Sequence, residues 1–292
     1  MYGDLDEDSI LYQMGEIFGK YETGEYNKTG LVRDINVQVK RILKVATDYG
    51  FDDNLWHNYL TFFLMMSENP FSMTCEKVGA SEGSVNALVQ NDFRIFKELF
   101  DYDFGPIEKD LGISCFSQIS DYKAIHKKDL MYNKNVSEKV RALSKKLEAA
   151  KDEKEFFDGI TGFYKDYGVG MFGLNKAFRI DEKPEGGIAF RAINNMDTVM
   201  LDDLVGYEIQ KKKLVDNTEA FVQGKKANNV LLFGDSGTGK STSIKAIVNQ
   251  YYKDGLRMIE IYKHQFKYLS TIIADIKNRN YKFIIYMDDL SF

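Results

Sequence analysis

Only two cysteines, Cys75 and Cys115, occur in the 292 residues, and they form no C-x-x-C pair. That pattern argues for free thiols in a reducing cytoplasm rather than for a disulfide framework. The three histidines, His57, His126 and His264, lie far apart with no ligand spacing, which speaks against a metal centre or a histidine-based nucleophile. The first residues, Met1 to Asp8, are acidic and carry neither the basic nor the apolar region of a signal peptide. The longest apolar patch, Phe62 to Met66, is far too short to span a bilayer. Internal repeats and low-complexity tracts are missing as well. A cytoplasmic protein without membrane contact is the expectation.

Core-building material is plentiful: 44% hydrophobic residues, including 18 Tyr and 21 Phe, against 28% charged ones. The net charge of −5 is uneven. Residues 201–292 hold 14 Lys and Arg against 11 Asp and Glu, an excess of +3, and the remainder holds 25 against 33, or −8. An acidic N-terminal part argues against generic coating of nucleic acid, which relies on neutralising phosphates. Lys211 to Lys213 and Lys225–Lys226 are most simply solvated faces.

The length allows two domains. Residues 1–167 read as a helical N-terminal domain, because apolar side chains recur at helical spacing. Such stripes are Ile10, Leu11, Met14, Ile17 and Phe18, then Leu31, Ile35, Val39 and Ile42, and then Leu55, Trp56, Tyr59, Leu60 and Phe63. Val85, Leu88, Val89, Phe96 and Leu99 form another, and Phe156, Phe157, Ile160, Phe163 and Tyr164 follow an acidic helix start at Asp152. Residues 168–200 read as a Gly/Pro-containing linker with short strands at 177–180 and 188–191. Its Gly168-x-Gly170-x-x-Gly173 matches the dinucleotide fingerprint, but it follows a helix and lacks the strand–turn–helix context, so a turn or hinge is the better reading.

From Leu201 the rhythm becomes α/β. Helices are expected at 208–222, 240–252 and 266–277, with strands at 229–233, 256–262 and 282–287. This alternation predicts right-handed crossovers and a parallel sheet. Between the first strand and its helix stands Gly234-Asp235-Ser236-Gly237-Thr238-Gly239-Lys240-Ser241, which reads G-x-x-x-x-G-K-S, the Walker A phosphate-binding loop. Glycines let the backbone turn its N–H groups toward phosphate, and the helix that follows aims its positive end at the same point. Lys240 supplies a mobile cation for the β- and γ-phosphates, Ser241 a hydroxyl for Mg²⁺, and Thr242 the next N–H of the cradle. The strand ending Phe283-Ile-Ile-Tyr-Met287-Asp288-Asp289 has the Walker B pattern. Asp288 would hold Mg²⁺ and Asp289 would orient the attacking water. Most such hydrolases carry Glu at the second position; Asp is one methylene shorter, and about 1 Å of misplacement can cost ~100-fold in rate. No N-K-x-D motif follows to read guanine, which disfavours a GTPase.

Three segments, Leu201 to Gln210, Asn228 to Ser241 and Met287 to Phe292, together with Tyr167 to Arg179, resemble a bacterial group of AAA+-type ATPases, the domain of unknown function 815 family. The resemblance covers about residues 167–292. It implies an AAA+ fold, ATP with Mg²⁺, ring assembly, and Val205 and Gly206 near the adenine. AAA+ sheets are ordered 5-1-4-3-2, with the loop after strand 1 and the acids after strand 3. This sequence stops five residues after Met287, so it is expected to be a fragment of a longer protein, with an incomplete sheet and a gap of roughly 9–10 Å where strand 4 belongs. Sensor residues, arginine finger and helical lid would lie beyond the chain end. The expected function is Mg–ATP binding and hydrolysis coupled to remodelling or loading a macromolecular partner. Two alternatives stand beside it: an ATP-gated adaptor that binds without turnover, and a small-molecule P-loop kinase.

Overall fold

The computed structural model describes residues 1–80, 83–124, 134–194 and 196–288. They form two compact units, Met1–Leu174 and the part from Asn175 onward.

Helices need ends as well as stripes, and the first unit supplies them with short polar side chains. Ser9, Asn27, Asn54, Asn69 and Asp152 each hold extended backbone and accept a hydrogen bond from a first-turn N–H. They open α1 (Ile10–Thr23), α2 (Lys28–Tyr49), α3 (Leu55–Met66), α4 (Pro70–Val78) and α9 (Glu153–Tyr167). Between them lie α5 (Ser84–Phe100), α6 (Gly105–Leu111), α7 (Cys115–Ser120) and α8 (Lys134–Glu148), and α10 (Gly170–Leu174) closes the unit. Nine helices among the described residues agree with the helical reading of 1–167, and α10 falls beyond it, in the stretch expected as linker. The apolar stripes at its five expected sites face one core, except that Leu88 of the fourth is 67% exposed. α3 runs through the middle, packed against α2, α5, α7, α8 and α9, so both its apolar and its polar positions are buried.

His57 is a core histidine bonded at one nitrogen only: its Nδ1 is buried without a hydrogen-bond partner among the described residues, with Glu148 Oε1 3.6 Å away. Its Nε2 lies 2.8 Å from the Phe100 carbonyl oxygen, and its ring stacks on that of Phe100. Burial pushes its pKa below the usual value. His264 sits in a 3₁₀ turn of the second unit, and His126 lies outside the described residues. Among the described residues no cluster of three or more His, Cys, Asp or Glu is placed to hold a metal.

The Gly168-x-Gly170-x-x-Gly173 stretch is a turn from α9 into α10, not a nucleotide cradle. Gly168 takes φ 86° as it stops α9. A Cβ on Gly173 would lie 2.6 Å from the carbonyl carbon of Gly168 and 2.8 Å from its oxygen, both main-chain atoms that cannot swing aside. Gly173→Ala is therefore expected to destabilise the first unit by about 1–3 kcal/mol, in the range of overpacked cores. A lower urea midpoint with unchanged slope checks this.

The second unit is an α/β layer structure. Its sheet has the order β2-β1-β3-β4, with β1 (Ala177–Glu182), β2 (Ile188–Ala192), β3 (Leu256–Ile261) and β4 (Lys282–Met287). β1 and β2 form an antiparallel hairpin; β1 pairs with β3, and β3 with β4, in parallel. α11 (Glu208–Val222), α12 (Lys240–Tyr251) and α13 (Leu269–Ile276) complete the unit. Leu214 of α11 and Ile244, Ile247 and Val248 of α12 meet Leu256, Met258, Ile284 and Tyr286 of the sheet.

One expected element is not there. Residues 229–233 form no strand, and Val230, Leu231 and Phe233 are 48%, 65% and 88% exposed. A strand exists through its ladder, and among the described residues this segment pairs with no strand of the sheet, β4 at its edge included. The apolar run that reads as a buried strand thus lies open except at Leu232, which packs against the core of this unit. Its start is tied instead to α11, where Asn217 and Asn228 exchange two hydrogen bonds of 2.9 Å. No described helix is long and apolar enough to cross a membrane.

Candidate functional site

The loop 234–239 is made possible by three glycines with positive φ: Gly234 at 146°, Gly237 at 80° and Gly239 at 81°. Gly239 precedes α12 in left-handed conformation, and no side chain caps that helix start. The first-turn N–H groups of Lys240, Ser241 and Thr242, at the positive end of the helix, therefore receive no side-chain cap. The loop folds on its own atoms. Lys240 Nζ donates to the carbonyl oxygens of Gly234 at 2.8 Å and Asp235 at 2.7 Å, and Thr238 Oγ1 donates to Asp235 O at 2.8 Å. Ser236 and Gly237 are exposed at its tip.

β4 delivers the second half of the site. Alternation along a strand puts Ile284, Tyr286 and Asp288 on one face. Ile284 packs into the core beside α12, and the two residues above it reach the start of that helix. Ser241 Oγ donates to Asp288 Oδ2 at 3.2 Å, and the Tyr286 hydroxyl donates to Ser241 Oγ at 2.9 Å. Burial pushes the Tyr286 phenol up to about 12, opposed by its hydrogen bond to Ser241 and reinforced by its hydrogen bond to Asp288 and that carboxylate's charge. It is a neutral donor across the physiological range.

The structure thus brings Gly234, Asp235, Thr238, Lys240, Ser241 and Asp288 together. Val205 and Gly206 lie on an exposed turn before α11, Val205 being 94% exposed, and no hydrogen bond joins them to the loop among the described residues. Asp289 lies outside the described residues. Tyr286 is the residue that sequence reading passed over. A tyrosine inside an apolar strand reads as core, and only the two-residue step to Asp288 marks it.

The donor set fits Mg²⁺, which is bound by one or two carboxylate or hydroxyl oxygens plus substrate phosphates rather than by an all-protein cage. One hydroxyl and one carboxylate, 3.2 Å apart beside an uncapped helix start, are of that kind. A glycine-rich turn at a helix N-terminus thus stands beside an acid at the tip of a parallel strand in an α/β unit.

Residues 174–292 match the family model described as Protein of unknown function (DUF815), the family the sequence resembles. The replication factor C large subunit of Methanococcus vannielii is 40% identical over 58 residues, which is 20% of this chain and 12% of that protein. Together the two matches support an AAA+-type family for this segment. The matched stretch spans about an eighth of the curated relative's length. No solved structure matches the chain.

Proposed function

We propose that the unit from Asn175 onward binds Mg–ATP at the turn around Lys240 and, with Asp289, hydrolyses it, driving the remodelling or loading of a macromolecular partner. The observation that carries the reading is the hydrogen bond between Ser241, the second residue of α12, and Asp288 at the tip of β4. It joins two motifs 47 residues apart in sequence, as a shared cation would require. The match to a replication factor C subunit supports the ATPase side of the reading, and ring assembly belongs to the same proposal.

The chain's own groups have separable tasks. The N–H groups at the head of α12 take up phosphate oxygens. Lys240 leaves two neutral carbonyls to meet the β- and γ-phosphates, a charge-assisted contact of greater strength. Ser241 and Asp288 would hold Mg²⁺, which neutralises charge that develops on the phosphates. Asp289 would orient water. Val205 and Gly206 would bound the adenine. Asp in place of Glu at position 289 supports a second reading, an ATP-gated adaptor with little turnover.

The test is a calorimetric titration of ATP with and without Mg²⁺, followed by phosphate release. Asp288→Asn is expected to remove most of the Mg²⁺-dependent gain in affinity, because an amide oxygen lacks the charge that attracts the ion. Wild-type protein that takes up no ATP would overturn the proposal. ATP uptake without phosphate release would select the adaptor.

A further inference from the structure

A hydroxyl has one hydrogen and two lone pairs, so its possible partners can be counted. Ser241 spends its hydrogen on Asp288 Oδ2 at 3.2 Å. One lone pair receives the Tyr286 hydroxyl at 2.9 Å, a hydroxyl that also stands within hydrogen-bond reach of Asp288. A single lone pair is left. Tyr286 can hold that arrangement because its own position is fixed. Its ring joins the packing of Ile284 against α12, and its backbone pairs in register with Glu260 of β3, which the Arg179 guanidinium holds at 2.7 Å. Nothing in a phosphate loop or in an apolar strand with acids at its tip requires a phenol at this point.

We propose that Tyr286 is a positioning residue for the cation: by donating to Ser241 it stops that hydroxyl from rotating and leaves its remaining lone pair aimed at the Mg²⁺ that accompanies ATP. The inference rests on the Mg–ATP reading above and adds a residue to it. Without the phenol, Ser241 can turn its hydrogen or its lone pairs in several directions, and the metal must order it on binding. The loss falls on the metal-dependent part of nucleotide affinity. The contacts of Lys240 and the helix N–H groups to phosphate do not pass through Ser241 Oγ.

A fluorescent ATP analogue titrated into the whole chain, in EDTA and across a Mg²⁺ series, tests this. The wild type is compared with Tyr286→Phe, Ser241→Ala and the double variant. Tyr286→Phe keeps the ring and removes only the hydroxyl. It is expected to raise the half-saturating Mg²⁺ concentration roughly three- to tenfold, the worth of one hydrogen bond, with the affinity in EDTA held. In the Ser241→Ala background the same change is expected to add nothing, since the oxygen it orients is gone. Equal Mg²⁺ dependence in wild type and Tyr286→Phe overturns the inference and leaves the Mg–ATP reading intact. So does a loss of affinity in EDTA as large as in Mg²⁺, which marks a packing role, or an undiminished effect in the Ser241→Ala background. A wild type that binds no analogue in any condition overturns both.

Discussion

Lys240→Ala is expected to reduce ATP affinity by roughly 10- to 100-fold, following from the ~1.5–3 kcal/mol carried by a hydrogen bond to a charged group. The side chain stands at the first position of α12, and its ammonium already spans the loop to reach the carbonyls of Gly234 and Asp235. Truncation removes the one cation of the loop while leaving the glycine turns and the helix start in place. Thermal unfolding without nucleotide is therefore expected to stay close to wild type, since the lysine is bonded only to exposed loop carbonyls. Nucleotide-induced stabilisation should fall in parallel with affinity. A fluorescent-analogue titration beside a melting curve separates the two effects. Unchanged affinity in Lys240→Ala would remove the phosphate role assigned to this turn.

A second large effect is expected far from that loop. Phe93→Ala should destabilise the first unit by about 3–5 kcal/mol, the range for deleting a buried aromatic ring. Phe93 is 1% exposed and its ring touches those of Tyr2, Phe71, Phe156 and Phe157, so four side chains from three segments line the hole it would leave. That loss is a large share of the ~5–15 kcal/mol by which ordinary domains are stable. The chain has a single tryptophan, Trp56, which belongs to the same core and survives the change as a reporter. Urea unfolding followed by its fluorescence should show an earlier midpoint. A shift smaller than that of a surface substitution would mean the ring is not the keystone its packing implies.

Elements governed by a local rule are the more legible ones in the sequence. Stripes such as Leu31, Ile35, Val39 and Ile42 are helical because a turn of 3.6 residues aligns them, and the same spacing in Val136, Val140, Leu143 and Leu147 of α8 was there to be read. The order glycine turn, lysine, helix needs nothing beyond neighbouring residues, and Lys240 begins α12 as the motif requires. Where a partner distant in sequence decides, local pattern fell short. Residues 177–180 and 188–191 read as strands, yet nothing in them tells that β1 will lie beside β3. Val230, Leu231 and Phe233 have strand-forming side chains, and they form none for want of a ladder neighbour. Tyr286 was missed for a related reason. Its role depends on Ser241, 45 residues earlier, and shows only when α12 and β4 are set side by side.

The lysine's resting place also has a thermodynamic meaning. Its two acceptors are main-chain oxygens without net charge, so the ammonium is held in shape but not neutralised. A carboxylate in their stead would compete with phosphate on equal electrostatic terms. As built, the loop keeps its cation cocked: ordered enough to spare an incoming anion the entropy of gathering it, and unsated enough to let go.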